Sequence, residues 1–302
     1  MRRRLLAMVL IVVACFAVTA QSGQPNAAQQ AADWKPIENA IGKTGSMQPG
    51  GVFKIGLPRS DLRVIVKGVG VDPVLALGSW IAFKKMGNEA MVMGDLVLTE
   101  AEVGPVMWSL QESGIDTTAL HNHVLDESPR VMYMHISGHG DAVKLAEAIH
   151  RALALTKTPL GAPATAPKQS GYDIDIGRVE QILGYKGKKN GNVYQFGIAR
   201  AEKIMDGEME VPPSMGVATA INFQPTGEGR AAITGDFVLI ASEVNPVIHA
   251  LRENGIAVTA VHSHMLTETP RLFFMHFWAN DEAGKLARGL RAALDKTNSA
   301  KG

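Results

Sequence analysis

The stretch HNHVLDESPRVMYMH at residues 121–135 returns as HSHMLTETPRLFFMH at 262–276, displaced by 141 positions at every residue. His121, His123, Glu127, Pro129, Arg130 and His135 therefore have the twins His262, His264, Glu268, Pro270, Arg271 and His276, while most residues between them differ. A chain that holds three imidazoles, a carboxylate and a guanidinium in both halves, and lets their neighbours drift, is holding a polar site twice.

Working outward, the same offset pairs Gly56 with Gly197, Arg59 with Arg200, and Gly94-Asp95 with Gly235-Asp236. The first repeat spans residues 33–158 and the second 172–298. Residues 159–171, rich in Pro, Ala and Gly, read as a linker. Each repeat opens with a short helix, Ile37–Ile41 or Val179–Leu183. Strand-like runs follow at Val52–Leu57, Asp61–Val66, Ser79–Lys84 and Ala90–Leu98. Pro105 just inside and Gly114 just past a run, with Pro246 and Gly255 as twins, mark a helix. Thr117–Leu125 alternates as a strand, Asp126–Pro129 turns, and Arg130–Ser137 returns. An Ala- and Leu-rich helix at Asp141–Leu155 closes the repeat. The expected fold is α+β, a tandem duplication of an α-ββ-ββ-α-ββ-α unit whose two repeats pack with pseudo-twofold symmetry.

The 302 residues, 46% hydrophobic and 20% charged, suffice for a sizeable core. A net charge of +1 without a basic stripe excludes nucleic acid as the expected partner. Arg2-Arg3-Arg4 followed by a short apolar run read as a signal peptide over residues 1–20, cleaved after Val18-Thr19-Ala20, with 21–32 as a disordered spacer. A second reading takes Val12-Val13-Ala14-Cys15 as a lipobox and anchors the protein to a membrane through Cys15. Phe16 is an awkward residue after a lipidated cysteine, so the expectation is a soluble protein of the periplasm or exterior. Cys15 is the only cysteine, so metal ligands in the mature chain must come from His, Asp, Glu or Met.

On an alternating strand His121 and His123 share a face, and a short return brings His135 close. Three imidazoles are an ordinary ligand set for divalent Zn, Cu, Fe or Mn. The expected metal ligands are His121, His123 and His135 in one half and His262, His264 and His276 in the other. Glu127 and Glu268 are the candidate fourth ligand or general base. Arg130 and Arg271 are the candidate anchors for an anionic group. A lone histidine on a strand is ordinarily a hydrogen-bonded structural residue; His139, His150 and His249, which lack histidine twins, read as surface or core residues. Glu102 reads as the end of a capping box begun at Thr99. Its twin Glu243 has Ile240 in that place, so both glutamates stay open as groups reaching the site. Asp95 and Asp236, each after a glycine, read as turn residues. Met134 alternates away from His135 and reads as core.

The spacing His121-x-His123-x3-Glu127 is that of a cupin metal motif. A cupin, however, is an all-β barrel that takes its last histidine from a distant strand, so the ligand logic carries over and the fold does not. The leader, the repeat of about 140 residues and the blocks G-D-x-V-L, G-I-x-x-T-A-x-H-x-H and P-R-x-x-x-M-H together resemble the LppY/LpqO family of exported bacterial proteins. The resemblance implies export and duplication and implies no reaction.

The function expected is that of an exported metal-binding protein, with metal-assisted hydrolysis or oxidation of a small polar substrate as the chemistry such a site supports. The alternative is a non-enzymatic envelope module in which the same residues recognise an anionic small molecule or cell-wall fragment.

Overall fold

In a computed structural model, residues 27–161 and 173–302 are described, with side chains from Trp34 onward. The chain divides into two units, Met1–Trp34 and Lys35–Gly302, and the whole of the duplicated site lies in the second. The signal peptide and most of the linker fall outside the described residues. Among the described residues, no helix is long and apolar enough to cross a membrane.

The first repeat runs α1 (Ala27–Ile41), β1 (Ser46–Gln48), β2 (Val52–Pro58), β3 (Ile65–Val66), β4 (Val69–Gly70), α2 (Pro73–Ala76), β5 (Gly78–Met86), β6 (Glu89–Thr99), α3 (Glu100–Glu112), β7 (Asp116–His121), β8 (Glu127–Ser128), β9 (Val131–Gly140) and α4 (Ala142–Leu153). The second runs α5 (Ile176–Leu183), β10 (Lys188–Asn190), β11 (Val193–Ala199), β12 (Met205–Asp206), β13 (Met209–Glu210), a 3-10 turn (Pro213–Met215), β14 (Ala218–Gly227), β15 (Arg230–Leu239), α6 (Ala241–Glu253), β16 (Ala257–His262), β17 (Glu268–Thr269), β18 (Phe273–Glu282) and α7 (Ala283–Leu294). Each repeat builds a six-stranded antiparallel sheet, in the order β1-β2-β5-β6-β9-β7 or β10-β11-β14-β15-β18-β16.

Alternation gives each sheet two different faces. On β18, Met275, Phe277 and Ala279 join Leu251 of α6 and Leu286, Leu290 and Leu294 of α7 in one core. The intervening Phe274 and Trp278 belong to two other clusters, each drawing residues from both repeats. In one, Phe274 and Val238 meet Met91 and Met93 of the first repeat. In the other, Trp278 and Ala232 meet Val97 and Tyr133. Met91 is the twin of Ala232, and Val97 of Val238, so one cluster is the pseudo-twofold image of the other. The helices thus cover the outer faces, and the two sheets pack inner face to inner face. Between the two apolar clusters lies the middle of each inner face, where His135 and His276 sit.

Four expected boundaries are corrected. Helix α1 starts at Ala27, inside the stretch read as a spacer. Helix α3 starts at Glu100 and carries Pro105 inside it. The Glu102 carboxylate accepts from Thr99 N at 2.8 Å and Glu243 from Ile240 N at 2.9 Å, which starts both helices before their prolines. Asp61–Val66 is strand only at β3. The connection between β7 and β9 is longer than a turn and contains β8, which pairs with β3 in a small sheet of its own.

Candidate metal centre

Register places the site residues. Across the β6–β9 ladder Asp95 stands opposite His135, and across β15–β18 Asp236 stands opposite His276. Opposite residues of an antiparallel pair point to the same face. Asp95 and Asp236 are therefore mid-strand residues of the inner faces, and the turn reading is corrected. Gly-Asp resembles turn chemistry, but here the glycine serves strand approach. A Cβ on Gly235 would lie 1.9 Å from the Ala220 carbonyl oxygen, and one on Gly94 would lie 2.9 Å from that of Trp80.

A bulge aims the remaining histidines. The β7–β9 register shifts between Thr117 and Ala119, and that of β16–β18 between Val258 and Ala260. The one extra residue, Thr118 or Thr259, puts His121 opposite Tyr133 and His262 opposite Phe274. Were that residue paired in the ladder and not skipped, both would turn to the helix side, since a one-residue slip reverses every side chain. The bulged threonines also tie the repeats together. Thr118 Oγ1 donates to the His264 carbonyl at 2.6 Å, and Thr259 Oγ1 donates to the His123 carbonyl.

All six expected histidines meet in one cluster at the interface, but they do not group by repeat. The rings of His121 and His262 stack across it at 3.5 Å between centroids. His123 lies 3.8 Å from His276, and His264 lies 3.7 Å from His135. Among the described residues, three donor sets have ligand atoms all within 4.8 Å of one another: His121, His123 and His276; His121, His135 and His262; and Asp236, His262 and His276. Each draws on both repeats or adds an aspartate, which corrects the expectation of one histidine triad per half. Separate triads required each hairpin to close on itself, whereas the inner faces close on each other.

The hydrogen bonds prepare ring nitrogens for a cation. His276 Nδ1 lies 2.7 Å from the Gly235 carbonyl and His121 Nδ1 3.0 Å from that of Asn122, while His264 Nδ1 lies 3.2 Å from that of Gly216. His135 bonds the Gly94 backbone in the same way. A carbonyl only accepts, so the nitrogen facing it carries the proton and the other ring nitrogen presents a lone pair. Among the described residues, the buried side-chain polar atoms lacking a hydrogen-bond partner are Nε2 of His121, His123, His135 and His276, Nδ1 of His262, and Oδ1 of Asp95 and Asp236. Every one belongs to this cluster. His264 Nε2 lies 3.0 Å from both His262 Nε2 and Asp236 Oδ2. His123 Nε2 lies 3.7 Å from Asp95 Oδ2.

Burial pushes the histidines down and the carboxyls up. His121 and His276 fall to about 4 and His264 to about 3, first through desolvation. His123, His135 and His262 are pushed down as well, through desolvation and then neighbouring histidines. Desolvation raises Asp236 to about 6 and Asp95 well above the usual range, the latter also repelled by Asp236. Six neutral imidazoles at neutral pH are the ligand form a metal requires.

The other expected site residues lie elsewhere in the pattern. Glu127 and Glu268 sit in β8 and β17, and among the described residues neither belongs to a donor set. Glu268 is buried, accepts from Leu272 N at 2.9 Å and pairs with Arg271 at 3.2 Å, so both members of that pair are occupied. Arg130 is exposed. Glu102 and Glu243 do not reach the cluster. They clamp the buried Arg59 and Arg200 at 2.8 and 2.6 Å, and they accept from the backbone after α4 and α7, at Lys157 N and Asn298 N. Asp95 and Asp236 are the residues that sequence reasoning missed. Their signal was present as twinned acids, concealed by the preceding glycine.

Among solved structures the chain is similar to three bacterial microcompartment and ethanolamine-utilization proteins. A trimeric bacterial microcompartment shell protein PduB shares 12% identity at TM-score 0.21, covering 83% of this chain and 89% of that one. EtuB from Clostridium kluyveri shares 11% at TM-score 0.20, covering 83% and 89%. The ethanolamine utilization protein EutL from Leptotrichia buccalis C-1013-b shares 8% at TM-score 0.20, covering 84% and 95%. At such TM-scores the likeness says nothing about function. No curated protein matches. The family model described as Domain of Unknown Function (DUF1259) matches twice, over residues 35–155 and 177–296, so the chain belongs to that family and carries its domain in duplicate.

Proposed function

We propose that the protein binds divalent transition metal where its two sheets meet, through His121, His123, His135, His262, His264, His276 and the carboxylates of Asp95 and Asp236. The observation that carries this reading is the set of orphaned atoms: five imidazole nitrogens and two carboxylate oxygens, buried and converging, with no partner in the protein. A buried polar atom without a partner costs ~1–3 kcal/mol, and seven in one place make a debt that a cation at the common focus removes. A set of six imidazoles with two carboxylates suits Zn, Cu, Fe or Mn better than Ca or Mg, which take oxygen. The chemistry available to such a centre is Lewis-acid hydrolysis or oxidation of a small polar molecule. The site acts outside the cytoplasm if residues 1–20 are a cleaved leader, and the LppY/LpqO resemblance favours export.

Elemental analysis of protein purified without added chelator tests the reading. Transition metal retained in at least equimolar amount, with a higher melting temperature than the stripped form, is the expected result. Protein that holds no metal, and whose melting temperature does not move when Zn, Cu, Fe or Mn is added, overturns it. Intact mass of the exported protein tests the leader, since a lipid on Cys15 replaces the soluble reading with an anchored one.

A further inference from the structure

We infer that the centre holds two metal ions, one in each of two half-sites that exchange a histidine between repeats. The inference rests on the metal-binding reading above and concerns how many ions the centre holds and which residues hold each. Half-site one consists of His121 and His123 of the first repeat with His276 of the second, whose ligand atoms lie within 4.8 Å of one another, and Asp95, whose Oδ2 lies 3.7 Å from His123 Nε2. Pseudo-twofold symmetry maps this set onto His262, His264, His135 and Asp236. There His264 Nε2 lies 3.0 Å from both His262 Nε2 and Asp236 Oδ2, and the His135 and His264 rings stand 3.7 Å apart. The two sets share no residue, and each offers three imidazoles and a carboxylate.

The number of donors decides against one ion. A tetrahedral ion takes four ligands. Placed among His121, His135, His262 and His276, it leaves His123 Nε2 and Asp95 Oδ1 buried and unpartnered at one end. At the other end it leaves His264 Nε2, whose Nδ1 proton faces the Gly216 carbonyl, pointing its lone pair at the Asp236 carboxylate. Two ions satisfy both ends. Each ion then has four protein ligands, three imidazoles and a carboxylate, and the two carboxylates offset half of the charge of the two dications.

The test uses the full mature chain, stripped with chelator, reloaded with Zn and dialysed, with zinc per chain measured by elemental analysis. Two per chain is expected. One per chain overturns the inference and leaves the metal-binding reading standing, whereas none overturns both. His264→Ala and His123→Ala, made separately and checked for folding by circular dichroism, are each expected to lower the content from two to one. A folded variant that keeps two ions, or loses both, overturns the assignment of half-sites. If either variant does not fold, reloading the wild type with Mn and recording its paramagnetic resonance gives an independent answer. Spin-coupled pairs support the inference and isolated ions overturn it.

Discussion

At the scale of the residue, the centre depends on two kinds of position, the donors and the glycines that let strands approach them. Gly235→Ala sets a Cβ 1.9 Å from the Ala220 oxygen, a backbone atom held in the β14–β15 ladder, so the strands must part. Gly94→Ala meets nothing closer than 2.9 Å. Denaturant titration is expected to show Gly235→Ala beyond the usual overpacking cost of ~1–3 kcal/mol and Gly94→Ala within it; equal costs would mean that the two ladders are equally tight. Asp236→Asn acts in opposite directions with and without metal. Desolvation lifts this carboxyl to about 6, so at pH 7.5 the metal-free fold carries a buried charge that the amide removes. The variant is expected to melt higher than wild type when stripped, by an amount on the order of 1–3 kcal/mol, and to gain less when metal is added. A stripped variant that melts lower than wild type would show that the charge is stabilised by the protein alone. The histidines were legible because three imidazoles recur at one offset. The aspartates were not, because a glycine before an acid looks the same in a turn and at a tight strand crossing.

At the scale of the element, the centre is aimed by two bulges that sequence does not announce. Alternation correctly placed His121 with His123 and Tyr133 with His135, but the relation between the two strands depends on Thr118, the residue the ladder skips. Thr118→Val keeps the bulge and removes one hydrogen bond to the His264 carbonyl, an expected loss of about 1 kcal/mol with metal content unchanged. Inserting one alanine between Ala119 and Leu120 shifts the register by one residue, puts His121 opposite Met132 in place of Tyr133, and turns both His121 and His123 toward the helices. That variant is expected to bind less metal than wild type. Unchanged metal content in a folded insertion variant would show that the register does not aim the site. The helices and long strands were legible from periodicity and from Gly and Pro punctuation. The two-residue strands β3, β4 and β8 were not, since two residues carry no period.

At the scale of the whole molecule, duplication was legible and the composition of the site was not, because a centre shared across an interface depends on which faces close together. The fold pays for this interface in protonation, and that makes its stability pH-dependent in a defined direction. In the unfolded chain histidine titrates near pH 6.5. In the metal-free fold His121 and His276 are pushed to about 4 and His264 to about 3, and burial pushes His123, His135 and His262 down as well. Above pH 6.5 neither state is protonated at these residues and nothing is lost. Below it the unfolded state binds protons that the native state refuses, so stability falls as pH falls, by about 1.4 kcal/mol per pH unit for each such histidine. The two aspartates act the other way. Asp236 keeps its proton up to about pH 6 in the fold, and burial raises Asp95 as well, so below that pH the native state binds protons the unfolded state releases, and each offsets roughly one histidine. About four histidines remain uncompensated, enough to consume a typical stability of ~5–15 kcal/mol within one to three pH units below 6.5. The stripped protein is therefore expected to melt at nearly constant temperature from pH 8 to 7 and at steeply falling temperature from pH 6.5 to 5. Bound metal holds the imidazoles neutral, so the loaded protein should keep its melting temperature to lower pH and fall as metal is released. A stripped protein whose melting temperature is flat down to pH 5 would mean that the histidines accept protons in place, and that the inner faces are open to water where the sheets meet.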